Sequence, residues 1–193
     1  LLIDFERTAE AWKVSYDLLA SSGDATIRFF GAKMLYSKAQ RDHIQLDHSS
    51  SSQLKTALVQ QLLSLAADPN TQMNVCRYVC LAISALAIQS LESNVVSEIL
   101  KALNGVVATR PLLILETLCV LTEECGDRML RITRDQRSAF HQQLTGSAHE
   151  VFSFLDSLLG ADMQTNARIL SCLRSWIENT NVPCQFILTA PVF

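Results

Sequence analysis

With 193 residues, 49% of them hydrophobic and 18% charged, the chain can bury one sizeable core or several small units that share one. Its net charge of −3 is dispersed, without the basic stripe of a nucleic-acid binder, so direct nucleic-acid binding is not expected and a basic protein partner is allowed. The most apolar stretch, RPLLILETLCVLTEEC at 110–125, keeps an uninterrupted apolar core only from Pro111 to Leu115, far short of the roughly 18–20 residues of a membrane span; no membrane association is expected.

The opening, LLIDFERTAEAW, reads as the tail of an apolar helix and lacks a basic leader region, so we expect it to continue a longer chain. Residues 9–20 carry Ala11, Trp12, Val14, Leu18 and Leu19 at helical spacing, with Thr8 as the expected N-cap. SSGD breaks the pattern, and Asp24 caps a second helix, ATIRFFGAKMLYSKAQRDHIQL, with Ile27, Phe30, Met34 and Leu35 on one stripe. The serines at 49–52 read as the boundary before SQLKTALVQQLLSL, because serine competes for backbone hydrogen bonds there. ADPN, with Pro69, makes the next turn.

TQMNVCRYVCLAISALAIQSL is apolar almost all round, which predicts a helix with neighbours on several sides. SNVVSEILKALN is short and amphipathic, and residues 110–125 then form a helix with Pro111 in its first turn. EECGDRMLRITRD, 123–135, reads as a charged linker. A long helix follows from Asp135, and Asp162 caps the last, ADMQTNARILSCLRSWIEN; the closing NVPCQFILTAPVF is apolar.

Helix starts at roughly Thr26, Thr71, Arg110 and Met163 are spaced by about 45, 39 and 53 residues, and each of these helices is expected to pair with a second. A period of roughly 40–47 with two helices per unit predicts an all-α superhelix, a solenoid of HEAT or armadillo-like repeats whose stacking supplies the core. The long last spacing is assigned to the linker. Cys76, Cys80, Cys119, Cys125, Cys172 and Cys184 mostly sit in apolar runs without zinc-finger partners, so packing in a reducing compartment is expected, with no metal and no cofactor.

FERTAEAWKVSYDLLASSGDATIRFFGAKMLYSKAQRDH resembles the N-terminal importin-β homology region, in which a Trp-containing helix, a D/S turn and an R-F-F/A-A-x-x-L helix follow one another. Trp12, Leu18, Leu19, Asp24, Arg28, Phe29, Phe30, Ala32 and Leu35 occupy those places. RPLLILETLCVLTEECGDRMLRITRDQR is similar to the fourth repeat of the transportin-SR and importin-thirteen branch, and CLRSWI, 172–177, resembles a segment of its fifth.

This resemblance to the importin-β superfamily implies one N-terminal HEAT-repeat arch over 1–193, with an importin N-terminal-like region at 1–48 and further repeats at 49–193. It implies a nuclear transport receptor shuttling between nucleus and cytoplasm, with Ran-GTP, protein cargo and nucleoporins as partners. In the family Ran contacts come from the second helices of the first repeats, here 9–20, 51–66 and 93–104. Their polar sides offer Lys13 and Asp17, then Lys55, Gln60 and Gln61, then Glu98 and Lys101. A plain solvated face would show the same pattern.

Arg128, Arg131, Arg134 and Arg137 around the linker could touch an acidic partner, although Asp127 and Asp135 partly neutralise them and a solvated loop fits the spacing as well. Trp12, Phe29, Phe30 and Trp176 are expected to pack between helices. His43, His48, His141 and His149 are scattered and no G-x-S-x-G, P-loop or H-E-x-x-H is present, so no enzyme is expected. The competing reading is a HEAT scaffold that assembles a multi-subunit complex independently of Ran.

Overall fold

The computed structural model describes residues 2–182 except 22, 69, 91–93 and 161; Pro69, Cys184 and the apolar segment 183–193 lie outside the described residues. The described residues are all-α: α1 (Leu2–Glu6), α2 (Glu10–Ser21), α3 (Ala25–Arg41), α4 (His48–Ala67), α5 (Met73–Ser90), α6 (Val95–Leu103), α7 (Pro111–Gly126), α8 (Arg134–Ser157) and α9 (Met163–Asn179).

Carboxylates and a threonine set the helix starts. Asp24 accepts the Thr26 and Ile27 amides at 2.7 and 3.3 Å, Asp47 the Ser50 amide at 2.6 Å, and Asp162 the Thr165 amide at 2.9 Å. Accepting otherwise orphaned N–H groups holds the Asp24 and Asp47 carboxyls below their ordinary range, and the Thr165 hydroxyl, followed by its amide, does the same for Asp162. Thr133 opens α8 with a reciprocal capping box: its hydroxyl takes the Gln136 amide at 3.1 Å while Gln136 takes the Thr133 amide at 2.8 Å.

Four expectations need correction. Thr8 does not cap α2; its hydroxyl donates back to the Phe5 carbonyl at 2.8 Å and closes α1. The serines at 49–52 are inside α4, because the Asp47 carboxylate takes the first-turn amide more strongly than their hydroxyls can compete for it. The linker is 127–133 rather than 123–135: Glu124 and Cys125, each 2% exposed, stay in the last turn of α7. The long last spacing therefore comes largely from α8, which has 24 residues where α6 has 9.

The fourth correction concerns α3. Its buried side is Gly31, Ala32, Met34, Leu35, Lys38 and Ala39, while Ile27 and Phe30 are 42% and 37% exposed. The helix also ends at Arg41, and a 3-10 turn follows at His43–Gln45.

The chain forms two compact units, Leu1–Ser90 with Arg128–Arg131, and Leu91–Asp127 with Ile132–Phe193. In the first, α2 packs on α3, α3 on α5, and α4 on α5. In the second, α7 packs on α9 and α6 on α8. Within each unit the leading helices of successive pairs (α3 and α5, α7 and α9) lie side by side, which is HEAT-like stacking.

α5 is long and apolar enough to cross a bilayer, but 61% of it is buried inside the fold, from Val75 and Cys76 to Ala87 and Ile88, which accounts for its composition. α7 plays the same part in its unit, with Leu113 to Thr122 all buried. Cys76, Cys80, Cys119, Cys125 and Cys172 are buried and outside any disulfide.

Close approach of α2 and α3 depends on Gly31. A Cβ there would lie 2.7 Å from both the Leu19 amide nitrogen and the Ser15 carbonyl. Ser15, itself fully buried, returns its hydroxyl to Ala11 O at 2.5 Å and so leaves that surface smooth.

Candidate functional site

The seven polar candidates sit on α2, α4 and α6, whose apolar sides fix their rotation. α2 buries Ala11, Trp12, Ser15 and Leu19, and thereby turns Lys13 and Asp17, four residues apart, to solvent. α4 buries Leu58, Leu62 and Leu65; Gln60 is exposed and Lys55 and Gln61 are half-buried. α6 buries Val95, Val96, Ile99 and Leu103, leaving Glu98 and Lys101 exposed. Beside Glu98, Ser97 donates to Glu150 of α8 at 2.6 Å and ties α6 in place.

Lys13, Asp17, Lys55, Gln60 and Gln61 belong to the first unit, Glu98 and Lys101 to the second. The signs of charge are mixed on α2 and α6, and Lys55 is the one charged candidate on α4, so such faces suit hydrogen-bonded contact more than long-range steering.

A feature the sequence reading missed anchors α2. Lys38 is fully buried, and its ammonium donates to Glu6 O at 3.0 Å, Thr8 O at 2.8 Å, Asp42 Oδ2 at 3.2 Å and Gln45 Oε1 at 3.1 Å. It also lies 5.2 Å from the Trp12 ring centroid, at cation–π range. Trp12 Nε1 donates to the same Gln45 oxygen at 3.2 Å, and Gln45 Nε2 donates to Arg7 O at 2.8 Å. The signal was available: position 38 follows Met34 and Leu35 by four and three residues, and so falls on their face.

The linker arginines divide. Arg128 and Arg131 belong to the first unit, Arg134 and Arg137 to the second. Arg131 is exposed, yet its amide donates to Gln40 O at 3.3 Å and its guanidinium to Arg41 O at 3.4 Å, at the C-terminal end of α3. Arg137 is half-buried and donates to the Cys125 carbonyl and, at 3.0 Å, to the Asp127 carbonyl, so it caps the end of α7. Arg128 and Arg134 are exposed.

Of these four aromatics, Trp12 and Trp176 are buried, Phe29 stands edge-on to Tyr78 with centroids 5.2 Å apart, and Phe30 keeps 37% of its surface exposed. Trp176 Nε1 donates to Leu118 O at 3.1 Å, which places CLRSWI against α7. Burying that indole contributes on the order of 3 kcal/mol.

His43, rather than His48, meets a serine. Its Nε2 lies 3.0 Å from Ser51 Oγ, which is 3.4 Å from Ser90 Oγ. Burial lowers the His43 pKa, and Ser51 is 1% exposed. A hydroxyl so enclosed cannot reach a substrate carbonyl; the chain of contacts fastens the start of α4 to the end of α5.

Comparison with known proteins places these helices in a family. Residues 72–193 match the exportin 1-like protein family. The chain is 25% identical to Importin-13 of Bos taurus over 195 aligned residues, covering 95% of this chain and 20% of that protein. It is 24% identical, over the same shares, to Importin-13 of Homo sapiens and of Mus musculus. The chain thus spans about a fifth of the length of these curated relatives. With its family match running through well over half of the residues, this protein belongs to the exportin 1-like family, within the importin-β superfamily.

Proposed function

We propose that this chain is the Ran-GTP-binding part of a nuclear transport receptor that carries protein cargo through the nuclear pore. The observation that supports it most is similarity to Importin-13 along 95% of the chain. The polar sides of α2, α4 and α6, with Lys13, Asp17, Lys55, Gln60, Gln61, Glu98 and Lys101, are the faces that would meet Ran. The protein would shuttle between nucleus and cytoplasm, contact nucleoporins on passage, and do so as a binding protein rather than an enzyme.

In this mechanism Ran-GTP and cargo are coupled ligands. Ran bound to the first repeats shifts the relative rotation of neighbouring repeats, and cargo affinity changes by the same coupling free energy, on the order of 1–3 kcal/mol. A stack of repeats suits the task because each contacts only its neighbours, so small rotations accumulate.

Calorimetric titration of the chain with Ran loaded with a non-hydrolysable GTP analogue, and in parallel with GDP, tests the reading. Binding selective for the GTP form is expected, and Lys13→Glu with Glu98→Lys should weaken it. Absence of binding by a chain shown to be folded by circular dichroism would favour a HEAT scaffold that works without Ran.

A further inference from the structure

The C-terminal end of α3 presents a surface that the Ran reading does not use. Ile44, in the 3-10 turn just past the helix, is 94% exposed. The segment Arg128–Arg131, which belongs to the same unit, comes to this end and is fixed there. Leu130 is 2% exposed and serves as its anchor, and Arg131 holds Gln40 O and Arg41 O through its amide and guanidinium. With Leu130 turned in, Arg128 and Met129 face solvent, Met129 at 62% exposure.

Three carboxylates around the end of α3 are already engaged. Asp42 pairs with the Lys38 ammonium at 3.2 Å and Glu6 with Arg41 at 3.7 Å. Asp47 is committed to capping α4. An exposed guanidinium carries five N–H groups in a fork that fits a carboxylate, and Arg41 O takes only one from Arg131. Ile44 on the 3-10 turn, and Met129 with the two exposed guanidinium groups on the loop held by the buried leucine, all lie within three residues of the Arg41–Arg131 contact, and they offer both kinds of contact at little ordering cost.

We propose that Ile44, Arg128, Met129 and Arg131 form a docking surface for an acidic peptide segment bearing apolar side chains. The arginines receive its carboxylates and Ile44 and Met129 cover its apolar groups. Charge complementarity selects this occupant: a basic or neutral peptide would leave the guanidinium groups without acceptors.

Fluorescence anisotropy of the full chain with a labelled peptide of alternating glutamate and leucine tests it, beside a lysine–leucine counterpart and vesicles of anionic phospholipid. The glutamate–leucine peptide should bind, and more weakly as salt rises. Arg128→Glu should weaken it about fivefold and Ile44→Ser about threefold, at unchanged melting temperature, whereas Lys33→Glu, elsewhere on the exposed side of α3, should leave it unaltered. Equal binding by the Arg128 and Ile44 variants, an equal effect of Lys33→Glu, or a preference for the lysine–leucine peptide or the vesicles would overturn the proposal. None of these outcomes depends on Ran.

Discussion

Lys38 and Trp12 share one acceptor. The ammonium and the indole Nε1 both donate to Gln45 Oε1, at 3.1 and 3.2 Å, while the ammonium stands 5.2 Å from the ring centroid. A fully buried cation is tolerable here because it meets two carbonyls, a carboxylate, an amide oxygen and a π face at once. Lys38→Met should therefore cost about 3 kcal/mol, since it leaves Glu6 O, Thr8 O and the Asp42 carboxylate without their donor. Urea denaturation followed by circular dichroism measures it; a loss below about 1 kcal/mol would show that water or Arg41 takes over.

Gly31→Ala tests the other contact between α2 and α3. The added methyl would sit 2.7 Å from two backbone atoms, which cannot rotate away, so the helices must separate. We expect a loss of about 1–3 kcal/mol, against a gain of up to about 1 kcal/mol for the same change at an open helical glycine. Gly146, with nothing near its Cβ position in the middle of α8, is that control. Melting curves of the two variants should move in opposite directions.

The contrast between these residues explains what the sequence could reveal. Helices α5, α7 and α9 were legible because Val79, Leu118 and Ile169 belong to dense apolar patterns that only a helix with neighbours can bury. Asp24 and Asp162 were legible as caps because an acidic residue before an apolar run has one obvious use. Spacing puts Lys38 on the face of Met34 and Leu35, but hydrophobic patterning counts a lysine as outside and so passes over it, and Phe30 was misplaced because an aromatic counts as inside. The serines at 49–52 misled for a related reason: which group wins a first-turn amide depends on competition with Asp47. Lys13, Asp17, Glu98 and Lys101 could be read as outward-facing from period alone, but an outward face does not specify what it meets.

Stability should fall with acid in two stages. Burial depresses the His43 pKa, so its contribution is complete above the unfolded value of about 6.5 and is lost as pH falls toward the folded one. Asp24, Asp47, Asp68 and Asp162 are also depressed, chiefly by backbone N–H donors for the first three and by Thr165 for Asp162. Their contribution persists down to about pH 4 and then disappears. Urea midpoints between pH 3 and 8 should show both stages. His43→Gln should remove the upper stage alone; Asn at positions 24, 47 and 162 should flatten the lower one while preserving the caps.

The last prediction concerns the polar seam between α7 and α9. Thr122 Oγ1 lies 2.7 Å from Ser175 Oγ and 2.9 Å from Cys119 O; Ser175 Oγ lies 3.4 Å from that same carbonyl. Both hydroxyls are buried, so removing one leaves the other short of a partner in a medium that cannot replace it. Thr122→Val and Ser175→Ala should each cost about 1–2 kcal/mol. The double variant should cost less than their sum by about 1 kcal/mol, because the second substitution removes a group that had already lost its hydroxyl partner. Strictly additive losses in a double-mutant cycle would mean that each hydroxyl is satisfied by backbone alone, and that the packing of Trp176 and Ile169 by itself holds α9 to α7.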